Sequence, residues 1–218
     1  MKLLIKFPTR QRPQKFLKAL KKYVDLMTGD DYKIIVSCDN DDDSMREEYI
    51  LEKLKSYKNL EIFFGDNNSK MEAINANMEN QEFDIVLLAS DDMIPTIKSY
   101  DDIIRNEMRN NFPDTDGVLW FHDGHRTDLN TLCILGKKYY ERFNYIYHPD
   151  YRSFFSDNEF TEVGNILKKQ VFIDKIIIEH QHPVWGFNTN DELYNKNLVH
   201  YYNDEQIFKD RKSKNFNL

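Results

Sequence analysis

The chain has 218 residues, 40% of them hydrophobic, enough to enclose one substantial domain and too rich in apolar and aromatic side chains for a disordered chain. A net charge of −7 gives no general attraction to nucleic acid or anionic membrane, so a nucleic-acid partner is not expected. The two cysteines lack ligand-like spacing, and no apolar stretch is long enough for a leader or a membrane span. We therefore expect free thiols and a soluble, cytoplasmic protein.

Residues 3–7 read as a strand that breaks at Pro8, Thr9 and Arg10. Phe16, Leu17, Leu20, Tyr23 and Val24 then recur at helical spacing as far as Gly29. Residues 33–38 predict a second strand, followed by the acidic run 39–43, and residues 47–57 a helix. Residues 60–64 predict a third strand and 71–78 a short helix. The apolar run Ile85, Val86, Leu87, Leu88 predicts a buried fourth strand. Beyond it the pattern is less regular: a helix over 100–108, strands over 117–121 and 132–136, and a helix over 137–143. A polar, aromatic loop (148–158) leads into a helix over 159–169, and a last strand over 171–179 gives way to a polar tail. Strand–helix alternation of this kind implies an α/β domain with a mainly parallel central sheet and helices on both faces. No internal repeat or linker divides it. We expect one domain, with a first half over 1–95, a second half over 96–182 and a C-terminal tail over 183–218.

Polar residues collect where the strands end, the edge at which open α/β sheets bind ligands. The first strand delivers Thr9, Arg10 and Arg12, the second Asp39, the third Asp66, Asn67 and Lys70, and the fourth Ser90, Asp91 and Asp92. Two adjacent carboxylates at the end of a buried strand repel each other unless a cation or solvent compensates them. A hard divalent ion, Mg²⁺ or Mn²⁺, shared with a diphosphate accounts for the pair. A solvated turn, with Asp92 capping a following helix, is the plainer account. Four such strand ends suit a nucleotide, although no GxGxxG or GxxxxGK[ST] motif is present.

The order of these elements resembles a GT-A glycosyltransferase, most closely the inverting family 2 type. The resemblance rests on the Phe7, Pro8, Thr9, Arg10 start, the Ser37, Cys38, Asp39 strand end, residues 68–75, and Ser90, Asp91, Asp92. That last element stands where such enzymes carry the metal-binding DxD motif, with Ser90 in its first position. The resemblance makes Asp92 a metal ligand and turns Asp91 toward ribose or metal. Residues 155–160 resemble the family's xED segment, which makes Asp157 the general base, although Ser156 replaces the usual glutamate. His180 or His182 would supply a C-terminal metal ligand. We read the two as facing opposite ways and favour His180. The resemblance makes 1–95 the nucleotide-binding half and 96–182 the acceptor-side half, in which Gly136 would mark a glycine loop.

The implied reaction is transfer of a sugar from a nucleotide-diphosphate sugar, a UDP-sugar first, to a hydroxyl of a glycan or other acceptor, with inversion. Arg10 and Lys70 would offset phosphate charge, and Thr9 and Asp39 would contact the base or ribose. Plainer readings stand beside these. Asp157 could simply cap a helix, and the segment His122, Asp123, Gly124, His125 reads as a turn. The aromatic stretch with Tyr145, Tyr147, His148, Tyr151 and Phe154 fits an acceptor cleft or ordinary packing. The tail fits a lid over the nucleotide or a docking arm. A nucleotidyltransferase and a catalytically inactive GT-A-like binding domain are the competing functions; the former lacks its usual glycine-rich loop here.

Overall fold

The computed structural model describes residues 1–182, 185–187 and 192–218. Pro183, where the tail is taken to begin, lies outside the described residues. Strands β1 (Leu3–Pro8), β2 (Tyr32–Asp39), β3 (Leu60–Gly65) and β4 (Ile85–Leu88) run parallel; β1, β2 and β4 are largely buried on both faces, as inner parallel strands are, while β3 is the half-buried edge strand. A small strand β5 (Met93–Pro95) follows, and then β6 (Val118–Phe121), β7 (Ile134–Gly136), β8 (Gln170–Ile173) and β9 (Ile178–His180). Seven strands form one sheet in the order β3-β2-β1-β4-β7-β6-β8, and β5 pairs with β9 in a separate two-stranded sheet.

Period two divides the strand side chains between two cores. Leu3, Ile5 and Phe7 of β1, Ile34 and Val36 of β2, and Ile85 and Leu87 of β4 point to one face. There they meet α1 (Pro13–Leu26), α2 (Glu48–Lys55) and α4 (Tyr100–Asn111) through residues such as Phe16, Leu20, Tyr23, Ile50, Tyr100 and Ile104. Leu4, Ile35 and Val86 point to the other face, covered by α3 (Lys70–Asn75), α5 (Lys137–Tyr140) and α6 (Ser156–Ile166). Two tail helices, α7 (Glu192–Leu198) and α8 (Tyr201–Ser213), complete the chain, and α8 adds Ile207 and Phe208 to that second core.

Several boundaries differ from the sequence reading. The single strand expected over 171–179 is two strands in different sheets: Asp174, Lys175 and Ile176 are exposed and carry the chain from β8 to β9. Helix α6 starts at Ser156, three residues early, and α5 is a single turn. Asp92 precedes the strand β5 and caps no helix. No helix among the described residues is long and apolar enough to cross a membrane.

Lys6 is fully buried in β1, where its Nζ donates to Ser37 Oγ and, at 2.6 Å, to the Ala76 carbonyl. Burial lowers its pKa to about 7. At this position the unfolded chain therefore binds more protons between pH 7 and the ordinary lysine value of 10.5, so the Lys6 contribution to stability rises with pH across that window. Replacing Lys6 by Met should remove that contribution, so the variant's gain in stability over wild type should shrink from pH 7 to pH 10 by on the order of a few kcal/mol, read by urea unfolding of both proteins at the two pH values.

Gly136 ends β7 for a steric reason. A Cβ there would lie 2.1 Å from the Thr115 carbonyl oxygen, which also accepts the Tyr139 N–H. Gly136→Ala should cost about 1–3 kcal/mol, visible as a lower urea midpoint with an unchanged slope. The glycine thus has a packing function, and the acceptor-side loop it was expected to mark needs no separate explanation.

Candidate active site

Because β1, β2, β3 and β4 are parallel, their C-terminal ends share one edge of the sheet and set Thr9, Asp39, Asn67 and Asp91 along it. β7 is antiparallel to β4, and β6 is antiparallel to β7, so β6 regains the direction of β4. Its end therefore brings His122 and Asp123 to the same edge. The β5–β9 pair adds the next group: Met93 is opposite His180, and the Gln181 N–H donates to the Asp92 carbonyl at 2.7 Å. Two chain segments distant in sequence are thereby locked with Asp92 beside His180.

His180 lies between two carboxylates. Its Nε2 is 3.8 Å from Asp92 Oδ2 and its Nδ1 is 3.7 Å from Asp123 Oδ2. Burial opposes protonation of the ring, but Asp123 and Asp92 outweigh it and raise the pKa to about 9. Burial would raise the Asp92 carboxyl; His180 and the Ser90 hydroxyl, 2.5 Å away, instead hold it well below the ordinary range. Asp123 is 1% exposed and is held by the His125 and Arg126 N–H groups and the Thr131 hydroxyl, at 2.8, 2.7 and 2.6 Å. It also fixes His180 through the backbone, its carbonyl accepting the His180 N–H. The sequence reading missed Asp123. The turn it predicted there is real, but a carboxylate at the end of a parallel strand was the available signal.

The two histidines are two residues apart, so period two puts them on the same face, and their rings lie 5.2 Å apart. The expectation that they diverge was wrong. Asp157 occupies the first turn of α6, partly exposed, its Oδ1 accepting the Asn158 N–H at 3.0 Å. Burial raises its pKa, with Lys70 and His180 near enough to oppose that shift. Lys70 opens α3 and also favours the ionised form of Asp92. Asp92, His180, Lys70 and Asp157 thus form one electrostatic group.

The nucleotide candidates sit further along the edge. The Thr9 hydroxyl is buried with no hydrogen-bond partner among the described residues, an arrangement a bound ligand would satisfy. Asp39 accepts from Asn67 Nδ2 at 2.8 Å and from Arg10, whose guanidinium also grips Asp41 through two bonds of 2.8 and 2.7 Å. Arg10 is therefore engaged by carboxylates and anchors the acidic loop. Arg12 Nη1 lies 3.3 Å from Asp91 Oδ1; burial still raises the Asp91 pKa, with Arg12 opposing it. Of the aromatic stretch, Tyr147 and Tyr151 are core residues, and the Tyr145 ring stacks on Phe143. Packing accounts for most of it.

Among the described residues, no group of three or more His, Cys, Asp or Glu side chains is arranged to hold a metal ion unaided. The pair Asp92 and His180 nevertheless offers one carboxylate oxygen and one imidazole nitrogen. That donor set suits Mn²⁺ or Mg²⁺ when substrate phosphates complete the coordination.

The arrangement of strands has clear parallels among solved structures. A mannosyltransferase, PcManGT from Pyrobaculum calidifontis in complex with GDP-Man and Mn²⁺, superposes with a TM-score of 0.65 at 11% identity, over 83% of this chain and 57% of that one. The fold is that of the GT-A glycosyltransferases. S. aureus TarS, residues 1–349 in complex with UDP, matches this chain with a TM-score of 0.64 at 15% identity, covering 82% and 60%. The same TarS fragment with UDP-GlcNAc gives 0.62 at 15% identity, over 82% and 58%. The chain thus spans under two thirds of the length of these structures. No protein-family model matches it, and no curated protein matches it in sequence.

Proposed function

We propose that this GT-A domain is a metal-dependent, inverting glycosyltransferase that moves a sugar from a nucleotide-diphosphate sugar, a UDP-sugar first, to an acceptor hydroxyl. The observation that carries this reading is the β5–β9 register, which sets His180 against Asp92 at the sheet edge where the nucleotide candidates and Asp157 also gather. The fold shared with nucleotide-sugar transferases supports it.

In this reading Asp92 and His180 would hold Mn²⁺ or Mg²⁺, and the bound ion would supply Lewis-acid stabilisation of charge on the nucleoside diphosphate leaving group. His180 would ligate as the neutral ring through Nε2, on the Asp92 side, with Nδ1 turned to Asp123, the usual partner geometry of a ligating histidine. Asp91 turns toward the ribose or the metal, and Thr9 and Asp39 contact the base or ribose. Lys70 offsets phosphate charge. Arg10, tied to Asp39 and Asp41, contributes mainly by holding that wall of the site.

Asp157 acts on the other side of the sugar. Its carboxylate takes the proton of the acceptor hydroxyl as that oxygen bonds to the anomeric carbon and the bond to the phosphate oxygen breaks. A single displacement inverts the carbon. The test is hydrolysis of UDP-GlcNAc, UDP-glucose and GDP-mannose with Mn²⁺ and no acceptor. Turnover of one donor, lost on adding EDTA, is expected; no turnover of any would overturn the reading.

A further inference from the structure

Helix α8 grips the chain on both sides of Asp157. One face of the helix carries Asp204, Ile207, Phe208 and Arg211, at the spacing that aligns side chains along a helix. Asp204 is fully buried. Its Oδ1 accepts the N–H of Arg152 at 3.0 Å, and its Oδ2 accepts those of Ser153 and Phe154, both at 2.8 Å. One carboxylate therefore fixes three consecutive backbone amides.

The next residue, Phe155, has φ 61° and ψ −3°. A phenylalanine in the left-handed region is strained and persists only where its surroundings impose it. Here the surroundings are again α8: the ring stacks on Phe208 at 5.8 Å and meets Tyr201 edge-on at 5.1 Å. Beyond Asp157, Arg211 binds Glu159 through two bonds of 2.7 and 2.8 Å, and Glu159 also accepts the Tyr151 hydroxyl at 2.7 Å. The α6 N-terminus, and with it the direction of the Asp157 carboxylate, is set by this clamp. The sequence reading of the tail as a nucleotide lid does not apply to α8, whose inward face is occupied by the 152–159 segment.

We infer that Asp204 is a positioning residue for the transfer reaction: through α8 it holds residues 152–155 in the strained path that aims Asp157 at the acceptor hydroxyl. This rests on the proposed role of Asp157 as base. An ångström of misplacement in such a group can cost about a hundredfold in rate.

The test is Asp204→Asn in the full chain, which keeps the side chain's size but turns an amide N–H₂ toward the N–H donors. Donor hydrolysis with Mn²⁺ should show kcat lower by roughly 10–100-fold with the donor KM unchanged. Amide hydrogen exchange at residues 152–154 should accelerate, and the thermal shift produced by UDP with Mn²⁺ should stay as in wild type. Asp210→Asn, on the exposed face of α8, should leave kcat unaltered. If Asp204→Asn does not fold, Phe208→Leu loosens Phe155 without disturbing a buried charge and should give the same loss in kcat at constant KM. Faster exchange with unimpaired kcat would reduce α8 to a purely structural element and overturn the inference. Wild-type protein that turns over no donor would instead remove the base itself, and the proposed function with it.

Discussion

Asp157→Asn is expected to lower the rate of sugar transfer, or of acceptor-free hydrolysis, by roughly 10²–10⁴-fold, the range that a positioned general base supplies. Asparagine keeps the shape and can still accept the Asn158 N–H, so α6 should form normally and donor affinity should be unchanged. The pH dependence gives a second readout. Burial raises the Asp157 pKa, so the base is lost to protonation at a higher pH than for an exposed aspartate, and the acid limb of kcat/KM, which reports the free enzyme, should lie correspondingly higher. A variant that retains full kcat would return Asp157 to the plainer function of a helix-end residue.

Asp92→Ala is expected to abolish metal-dependent nucleotide binding. Loss of a supporting group behind a metal ligand costs roughly 10–100-fold in affinity, and loss of a ligand from a two-ligand site should cost more. In a thermal-shift experiment the wild type should gain stability from UDP only when Mn²⁺ is present, and Asp92→Ala should gain none. The variant also frees His180 from one of its two carboxylates, so its basal melting temperature will move for an electrostatic reason. The ligand-induced increment is therefore the quantity to compare. An equal increment in both proteins would remove Asp92 from the site.

The parallel half of the fold was legible because its inner strands are apolar on both faces. Ile34, Ile35 and Val36, or Ile85, Val86 and Leu87, can be read as buried strands with no partner in view. The strand-end residues followed from the same reasoning. Pairing across distant segments was less accessible. Nothing local to Met93–Pro95 marks a strand, since β5 exists only because β9 returns to it. The exposed pair Asp174 and Lys175 did carry a break signal, but the apolar residues on either side masked it. Helix α8 reads as polar because its buried face is built around Asp204 and Arg211, whose burial is compensated by backbone amides and Glu159. Asp123 was hidden differently: its turn geometry was correctly expected, while its place beside His180 depends on two antiparallel steps of the sheet.

The central claim is that this edge of the sheet binds a nucleoside diphosphate through a metal held by Asp92 and His180. Titration calorimetry with UDP and with GDP, each in Mn²⁺ and in EDTA, addresses it without any assumption about the acceptor. We predict saturable 1:1 binding of one nucleotide in Mn²⁺, with UDP preferred, and none in EDTA. Absence of binding by both nucleotides in Mn²⁺, or equal affinity in EDTA, would contradict it.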